Sequence, residues 1–309
     1  MTVTHHECGD RLMSKNKTLM GKRIGVFGKG GAGKSTIVVL LARALRNCDY
    51  GVCVLDADST NMGLHHAFGL DESPRSLLDY FGGMVFSGGR VTCPVDDPTP
   101  LPEAEISLAQ LPNDYVGHSR EGIFVLTAGK IGEKGPGAGC DGPVSKIARD
   151  LQIRPDTDAP IMLIDFKAGF EDAARGAVTS LDWAVAVVDP TTAAMQMAIQ
   201  MKNMIGRIKA GELPATGHLK KLSQVEMANR IFREAPIRDM FVILNRIPSE
   251  QTEEYMKRYL QVRNIEPIGV IQEHACIALS WLKGTPLECT NANGDIDRIV
   301  KQLETIASE

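Results

Sequence analysis

The chain of 309 residues is long enough for one large α/β domain or two small ones, and its 43% hydrophobic and 23% charged residues exclude wholesale disorder. A formal net charge of −4 argues against a protein that coats nucleic acid. No apolar run reaches the ~18 residues that a membrane helix needs. The seven cysteines are scattered, which favours free thiols in a reducing cytoplasm, and we expect Cys48, Cys53 and Cys276 to be small buried thiols.

Residues 1–22 are polar and lack the apolar centre of a secretory signal, so we expect a disordered tail. Beyond them, apolar runs alternate with helical periodicity. Strands are predicted at 23–28, 51–56, 122–126, 160–165, 183–189, 240–245 and 267–271. Helices are predicted at 34–46, 144–151, 170–180, 192–208, 224–234, 252–263, 274–283 and 295–307. Continuous apolar strands separated by helices predict a single α/β domain over 23–309, with a mostly parallel sheet and helices on both faces.

Two segments need separate interpretation. Residues 86–120 are rich in proline, glycine and acidic residues and interrupt the alternation, which predicts a loop insertion. The terminal pattern at 295–307 places its apolar residues on one helical face. Its polar face carries too few basic residues for a membrane-surface helix, so we expect it to pack on the domain.

A glycine-rich loop with the sequence GKGGAGKST follows the first predicted strand and precedes the first helix. It matches the phosphate-loop pattern G-x-x-x-x-G-K-[ST] in the structural context that supports it, and therefore predicts a P-loop NTPase. The predicted nucleotide-binding residues are Gly28, Gly30, Gly31, Ala32, Gly33, Lys34, Ser35 and Thr36. Lys34 would reach the β- and γ-phosphates, and the Ser35 hydroxyl would ligate Mg²⁺.

Aspartates end two of the predicted strands. Asp56 and Asp58 follow the second strand, and Asp165 ends the strand at 160–165 in the form of a Walker B element. Carboxylates beside a phosphate loop can order the Mg²⁺ shell or the attacking water. An acidic exposed turn is the alternative for the first pair. Gly169 would supply a hinge after the Walker B aspartate.

Lys29 completes the deviant Walker A signature K-G-G-x-G-K-S-T. By it the chain resembles the dimeric nucleotide-switch ATPases, which include the nitrogenase iron protein, the septum-site and partition ATPases and the metal-centre accessory ATPases. The resemblance implies ATP and Mg²⁺ as cofactors, a homodimer in the ATP state, and a catalytic Lys29 that touches the partner subunit's nucleotide. It also implies that Asp58 activates water beside Asp56, and that Asn245 contacts adenine. A strand-end turn residue is the alternative for Asn245.

Cys140 lies in the glycine-framed run GPGAGCDG before a predicted helix, where an exposed thiol becomes a better metal ligand. An ordinary loop cysteine is the alternative. The run is similar to G-x-G-C-x-G of the nitrogenase iron protein, whose cysteine is one of two per subunit that hold a shared [4Fe–4S] cluster, and to C-x-C of the carbon monoxide dehydrogenase accessory ATPase. Asp172 and Gly142 stand where these relatives have their second cysteine. A full site would need Cys93, Asp141, Asp172 or a client protein.

The segment after Asp165 also resembles the carbon monoxide dehydrogenase accessory ATPase. Ala168-Gly169, Glu171 and Arg175-Gly176 match, whereas Lys167 and Asp172 replace its usual glutamate and histidine. The resemblance implies an ATPase that assists metal insertion into a client such as a carbon monoxide dehydrogenase-like enzyme. It also implies a further cofactor, either a transition metal (Ni or Zn) or an iron–sulfur cluster shared across the dimer. An ATP-gated iron–sulfur electron donor and a partition or positioning ATPase are the alternatives. The acidic charge balance disfavours the last.

Overall fold

The computed structural model of the protein describes residues 17–130, 140–155 and 159–308. Strands and helices alternate through them, as predicted. The strands are β1 (Arg23–Gly28), β2 (Val52–Ala57), β3 (Glu105–Ser107), β4 (Gly117–His118), β5 (Phe124–Thr127), β6 (Gln152–Arg154), β7 (Ile161–Phe166), β8 (Trp183–Val188), β9 (Asp239–Ile247) and β10 (Pro267–Gln272). The helices are α1 (Lys34–Asn47), α2 (Leu64–Ala67), α3 (Leu77–Tyr80), α4 (Gly142–Asp150), α5 (Glu171–Ala174), α6 (Thr192–Lys209), α7 (Leu222–Arg233), α8 (Glu250–Gln261), α9 (Ala275–Lys283) and α10 (Asn293–Ser308).

Eight strands form one sheet in the order β10-β9-β8-β1-β7-β2-β5-β4. Every neighbouring pair is parallel except β4 and β5. The four strands β1, β2, β7 and β8 are buried along their whole length, as strands covered on both faces must be. The predicted single α/β domain with a mostly parallel sheet is therefore confirmed.

Helices cover both faces of this sheet. On one face α1 packs against α10, and their side chains join a core that includes Ile37, Leu41 and Ile299. On the other face α4, α6 and α8 contribute to a second core, with Ile147 and Met195 among its members. The terminal helix packs on the domain as its apolar face predicted. Among the described helices, none combines the length and the apolar character needed to cross a membrane.

The segment 86–120 is more ordered than the predicted loop insertion. It contains β4, which extends the edge of the main sheet, and β3, which pairs with β6 in a separate two-stranded sheet. Val91, Ile106 and Tyr115 are buried in the core on the α4 side. The segment contains little regular secondary structure because of its prolines and glycines. Its apolar residues nevertheless pack against the rest of the domain.

The prediction of one continuous helix at 170–180 is wrong, because the structure has two short elements there. The α5 helix ends at Ala174, and a separate 3₁₀ turn runs over Ala177–Ser180. Gly176 lies between them with φ of 89°, a left-handed conformation that interrupts a right-handed helix.

Three cysteines were expected to be small buried thiols. Cys53 is fully buried, and its burial raises the pKa of the thiol to about 12. Cys48 is half-buried. The expectation is wrong for Cys276, which forms a disulfide with Cys289 across 13 residues of sequence. The two cysteines lie at the start of α9 and before α10, so only the folded chain brings them together.

The start of the domain also differs from the prediction. Residues 17–22 were assigned to a disordered tail, but Leu19 is fully buried in the core beneath α1 and α10. Thr18 Oγ1 donates to the Glu304 carbonyl at 3.2 Å, and Lys22 Nζ lies 2.9 Å from Asp182 Oδ1. The ordered domain therefore begins before β1. The rest of the predicted tail, residues 1–16, lies outside the described residues.

This packing makes a stability prediction. Leu19→Ala should lower the free energy of unfolding by about 2–5 kcal/mol, because it leaves a cavity in a closed core. The neighbouring Met20→Ala, at an exposed side chain, should change it by less than ~0.5 kcal/mol. Urea denaturation of both variants measures the difference, and equal small effects would contradict the packing of this segment.

Candidate functional site

The loop between β1 and α1 leads directly into a helix N-terminus without a side-chain cap. The first N–H groups of α1 are thus available to an anion, and the helix dipole favours one there. Gly33 precedes the helix at φ 89°, and a Cβ on it would lie 2.2 Å from Asn245 Nδ2. Only glycine satisfies both constraints, so the close approach of this loop to β9 depends on it.

The two lysines of the loop have opposite environments. Lys34 is buried and acts electrostatically on Asp165. Lys29 is exposed, and it forms no ion pair with any residue in the described ranges. One lysine therefore faces the strand ends of its own subunit, while the other is available to a molecule outside it.

Two aspartates meet at the carboxyl ends of neighbouring strands, because β2 and β7 pair in parallel with Asp56 opposite Asp165. The Ser35 hydroxyl donates to Asp165 Oδ2 at 2.6 Å and accepts from Asn61 Nδ2 at 2.9 Å. Burial, with a contribution from Asp56, raises the pKa of Asp165 to about 7 against the opposing charge of Lys34.

Asp165 Oδ1 is buried and lacks a hydrogen-bond partner among the described residues. An unpaired carboxylate oxygen beside a serine hydroxyl is the donor set that Mg²⁺ prefers, since magnesium binds oxygen and keeps part of its water shell. The residues present therefore fit a magnesium ion at this point.

Lys130 is a member of the site that sequence reasoning missed. Its Nζ donates to Asp56 Oδ2 and to the Asp58 carbonyl, both at 2.7 Å, and also to the Asn61 carbonyl. Burial still raises the pKa of Asp56 to about 6, with Lys130 opposing the shift. Asp58 Oδ1 accepts from the backbone N–H of Thr60 at 3.0 Å. The lysine thus holds the turn after β2 in place.

A cleft of about 470 Å³ opens above the loop, in the size range of small-molecule sites. The predicted site residues that line it are Gly30, Gly31, Gly33, Lys34, Ser35, Thr36, Asp58 and Asn245. Its opposite wall consists of residues that the sequence did not single out, namely Arg246, Gln272, Glu273, His274, Ile277, Ala278 and Trp281. Most of these belong to β10 and α9, whose place beside the loop follows only from the sheet order.

Three hydrogen bonds join the walls of the cleft. Trp281 Nε1 donates to Thr36 Oγ1 at 2.8 Å, and Arg246 donates to the Gly31 carbonyl at 3.1 Å. Asn245 Nδ2 donates to the Ala32 carbonyl at 2.8 Å. The Asn245 Oδ1 atom is buried without a partner among the described residues, so it is available to a ligand donor.

Cys140 is not in the lining of the cleft but is connected to it through its neighbour. Asp141 accepts from the Ser59 hydroxyl with one carboxylate oxygen and from Lys167 Nζ with the other. The bond to Asp141 raises the pKa of Lys167. Cys140 itself is half-exposed, and its sulfur accepts from the Gly142 N–H at 3.4 Å.

Asp172, considered from the sequence as a further metal ligand, is buried. It accepts from the Ser145 hydroxyl and, at 3.3 Å, from Arg175. Burial raises the pKa of its carboxyl group. Within the described ranges no cluster of three or more His, Cys, Asp or Glu side chains is arranged to hold a metal ion.

The raised pKa of Asp165 predicts a pH-dependent stability. The folded protein keeps this proton to about pH 7, whereas an unfolded aspartate loses it near pH 3.8. Ionisation therefore opposes folding as the pH rises from about 4 to 7. In nucleotide-free protein, wild type should lose this contribution to its stability between pH 5 and pH 7.5, whereas Asp165→Asn has no such group to ionise. The unfolding free energy of Asp165→Asn minus that of wild type should therefore increase over this range.

Denaturation in urea at the two pH values measures this effect. Ser35→Ala is the control, because it removes a hydrogen bond to Asp165 but leaves the ionisable group. The control should lose stability with rising pH at least as much as wild type, because the Ser35 hydrogen bond lowers the pKa of Asp165 and its removal raises that pKa further. A stability difference for Asp165→Asn that stays constant over this range would contradict the assigned shift.

Comparison with known proteins agrees with this geometry. The family model of the CobQ/CobB/MinD/ParA nucleotide binding domain matches residues 26–287. The carbon monoxide dehydrogenase accessory protein CooC of Rhodospirillum rubrum is 31% identical over 184 residues, which cover 59% of this chain and 68% of that protein. An ATP-binding protein of Methanocaldococcus jannaschii is also 31% identical over 184 residues, which cover 59% of this chain and 72% of that protein.

Among solved structures, the cell division ATPase MinD of Pyrococcus furiosus aligns with a TM-score of 0.56 at 19% identity, over 93% of this chain and 100% of that one. That likeness supports the fold. The family match spans the loop, both aspartate-bearing strand ends and most of the wall opposite them. The chain therefore belongs to the CobQ/CobB/MinD/ParA family of nucleotide-binding domains, and it is a P-loop ATPase.

Proposed function

We propose that the protein is an ATP-driven switch that assists the maturation of a metal centre. ATP and Mg²⁺ would bind in the cleft as two subunits associate, and Cys140 would carry a transition metal as cargo for a client metalloenzyme. The observation that carries this proposal is the double attachment of Asp141, the residue after Cys140, to Ser59 and Lys167. The proposal includes a cytoplasmic location, where ATP is available.

The bonds of Asp141 are unusual for its position. It is the N-cap residue of α4, where an aspartate normally accepts from the first N–H groups of its own helix. Here the side chain makes no such bond. Both oxygens are instead committed to segments that leave β2 and β7, the two strands that carry Asp56 and Asp165. The helix start beside Cys140 is therefore attached to both segments.

The roles of the cleft residues follow from their positions. The loop from Gly28 to Gly33 and the N-terminus of α1 would surround the phosphates, with Lys34 neutralising their charge. Ser35 would ligate Mg²⁺, and Asp165 would hold it through water. When bound, the ion screens the phosphate charge. Asp58, at the cleft lining, would orient the attacking water, while Asn245 Oδ1 would accept from the adenine amine.

One relative and the contacts of Asp172 support this proposal. The relative CooC is described as an accessory protein of carbon monoxide dehydrogenase. The iron–sulfur electron donor requires a ligand at Asp172, whose carboxylate is already bonded to Ser145 and Arg175. The similarity to MinD bears on the fold alone, so no observation on this chain favours a positioning role.

The exposed lysine of the loop gives the first prediction of this function. Lys29→Ala should reduce ATP hydrolysis by roughly 10³-fold, the scale of charge-stabilising residues supplied in trans. The affinity for ATP should change by less than about threefold, because the exposed Lys29 side chain would act on the partner subunit's nucleotide rather than on its own. Steady-state phosphate release and equilibrium ATP titration measure the two effects.

Lys257→Ala, at an exposed lysine on α8 that pairs with Glu253, is the matched control and should hydrolyse ATP at the wild-type rate. Loss of ATP binding together with hydrolysis in Lys29→Ala would place the lysine in its own site and contradict action across a dimer.

Asp141→Asn tests the connection between nucleotide and thiol. In wild type, the rate of Cys140 alkylation by iodoacetamide should differ at least threefold between nucleotide-free protein and protein with Mg²⁺ and a non-hydrolysable ATP analogue. In Asp141→Asn this difference should disappear, because the weakened acceptor no longer joins the two segments. Mass spectrometry of the Cys140 peptide gives both rates.

Asp114→Asn, at an exposed ion pair with Arg75, should behave as wild type. Metal content after incubation with Zn²⁺ or Ni²⁺ completes the test. Equal metal in wild type and Cys140→Ser, or an unchanged nucleotide effect in Asp141→Asn, would overturn the proposed function.

A further inference from the structure

A second free thiol lies at the start of α4. Cys93 comes from the segment 86–120, distant in sequence from Cys140, and both cysteines are free. A Cβ built on Gly142 would lie 2.6 Å from Cys93 Cβ and 2.7 Å from Cys93 Sγ. The N–H of the same glycine donates to Cys140 Sγ at 3.4 Å. Both sulfurs therefore lie beside Gly142.

The contact explains why position 142 is a glycine. Any side chain there would collide with Cys93, because real Cβ atoms do not approach other atoms below 3.0 Å. The space that a side chain of residue 142 would fill is occupied by the Cys93 thiol. A sulfur is thus present beside the first turn of α4 although no second cysteine follows Cys140 in the sequence.

The other candidate ligands nearby are already engaged. Both oxygens of Asp141 accept hydrogen bonds from protein donors, and Asp172 is bonded to Ser145 and Arg175. Among the described neighbours considered as ligands, Cys93 is the one without such a bond. Thiolates also suit transition metals better than carboxylates do.

Cationic groups lie around Cys93. Arg175 and Lys146 both interact electrostatically with it. The nine-residue helix α4 directs its N-terminal dipole toward the same region. Negative charge on a metal-bound sulfur would therefore have positive charge beside it.

We propose that Cys93 and Cys140 form a two-thiol site that binds a thiophilic divalent metal ion at the start of α4. This inference rests on the proposed function and names the second ligand of its cargo site. Each thiol gives up one proton as its bond to the metal forms, so two protons are released per ion. Two subunits facing each other supply four thiolates, the complete set of a tetrahedral zinc site.

Anaerobic titration of the full chain with Co²⁺ tests the site, since thiolate ligands give an intense near-ultraviolet charge-transfer band that scales with their number. Cys93→Ser and Cys140→Ser should each reduce this band per bound ion to about half and weaken binding at least tenfold. Cys48→Ser, at the cysteine directly after α1, should retain the wild-type band. Cys93→Ala, with thermal unfolding of each variant, excludes misfolding as the cause.

A metal-free arm uses phenylarsine oxide, which joins two adjacent thiols through two As–S bonds with release of water. One equivalent should bind in wild type and in Cys48→Ser, and none at this site in Cys93→Ser or Cys140→Ser. Full cobalt and arsenical binding in Cys93→Ser, with loss in Cys140→Ser, would overturn this inference alone. Absence of the cobalt band in wild type would instead overturn the proposed function, and the metal site with it.

Discussion

Two buried carboxylates at the ends of adjacent parallel strands are the constraint on which the site depends. Asp56 and Asp165 lie in register on β2 and β7, and burial raises the pKa of both. Such a pair persists in the fold only with cationic or hydrogen-bonding partners around it. Lys130 binds one carboxylate and Ser35 the other. The phosphate loop, the turn after β2 and the end of β5 are thereby drawn to one point.

This arrangement relates the chemistry of the site to its stability. A divalent cation beside Asp165 would favour the charged carboxylate that burial disfavours. The nucleotide-free protein thus carries an electrostatic cost that ligand binding relieves. The open Oδ1 of Asp165 marks where that relief is available. Binding of the metal and its nucleotide should accordingly change the conformation or mobility of the segments that follow these strand ends.

Much of the fold could be predicted from the sequence because the signals are local. Continuous apolar runs gave the buried strands, and the loop between β1 and α1 follows from its glycines and lysine in one short stretch. The elements that were misjudged lack such signals. Gly176 divides a helical pattern through a single backbone conformation, and Leu19 has only Met20 as an apolar neighbour in a short polar stretch.

Parts of the site that depend on the sheet order could not be predicted. Lys130 reaches Asp56 because β5 is the neighbour of β2, and Trp281 closes the cleft because α9 follows an edge strand. Cys93 was considered from the sequence as a further ligand beside Cys140. Its contact with Gly142, however, brings together residues from separate elements, and their spacing in the sequence does not indicate it.

The two bonds of Asp141 also have a logical consequence. A carboxylate that is bonded to two segments keeps its position while either bond remains. It is released only when both bonds are broken. Under the proposed function, the start of α4 would then respond only when both segments move together. Displacement of the Ser59 segment alone, or of the Lys167 segment alone, would leave one bond to Asp141 intact. Brief fluctuations of one segment would not release the metal from Cys140. Release would require an event that displaces both segments, such as loss of the γ-phosphate.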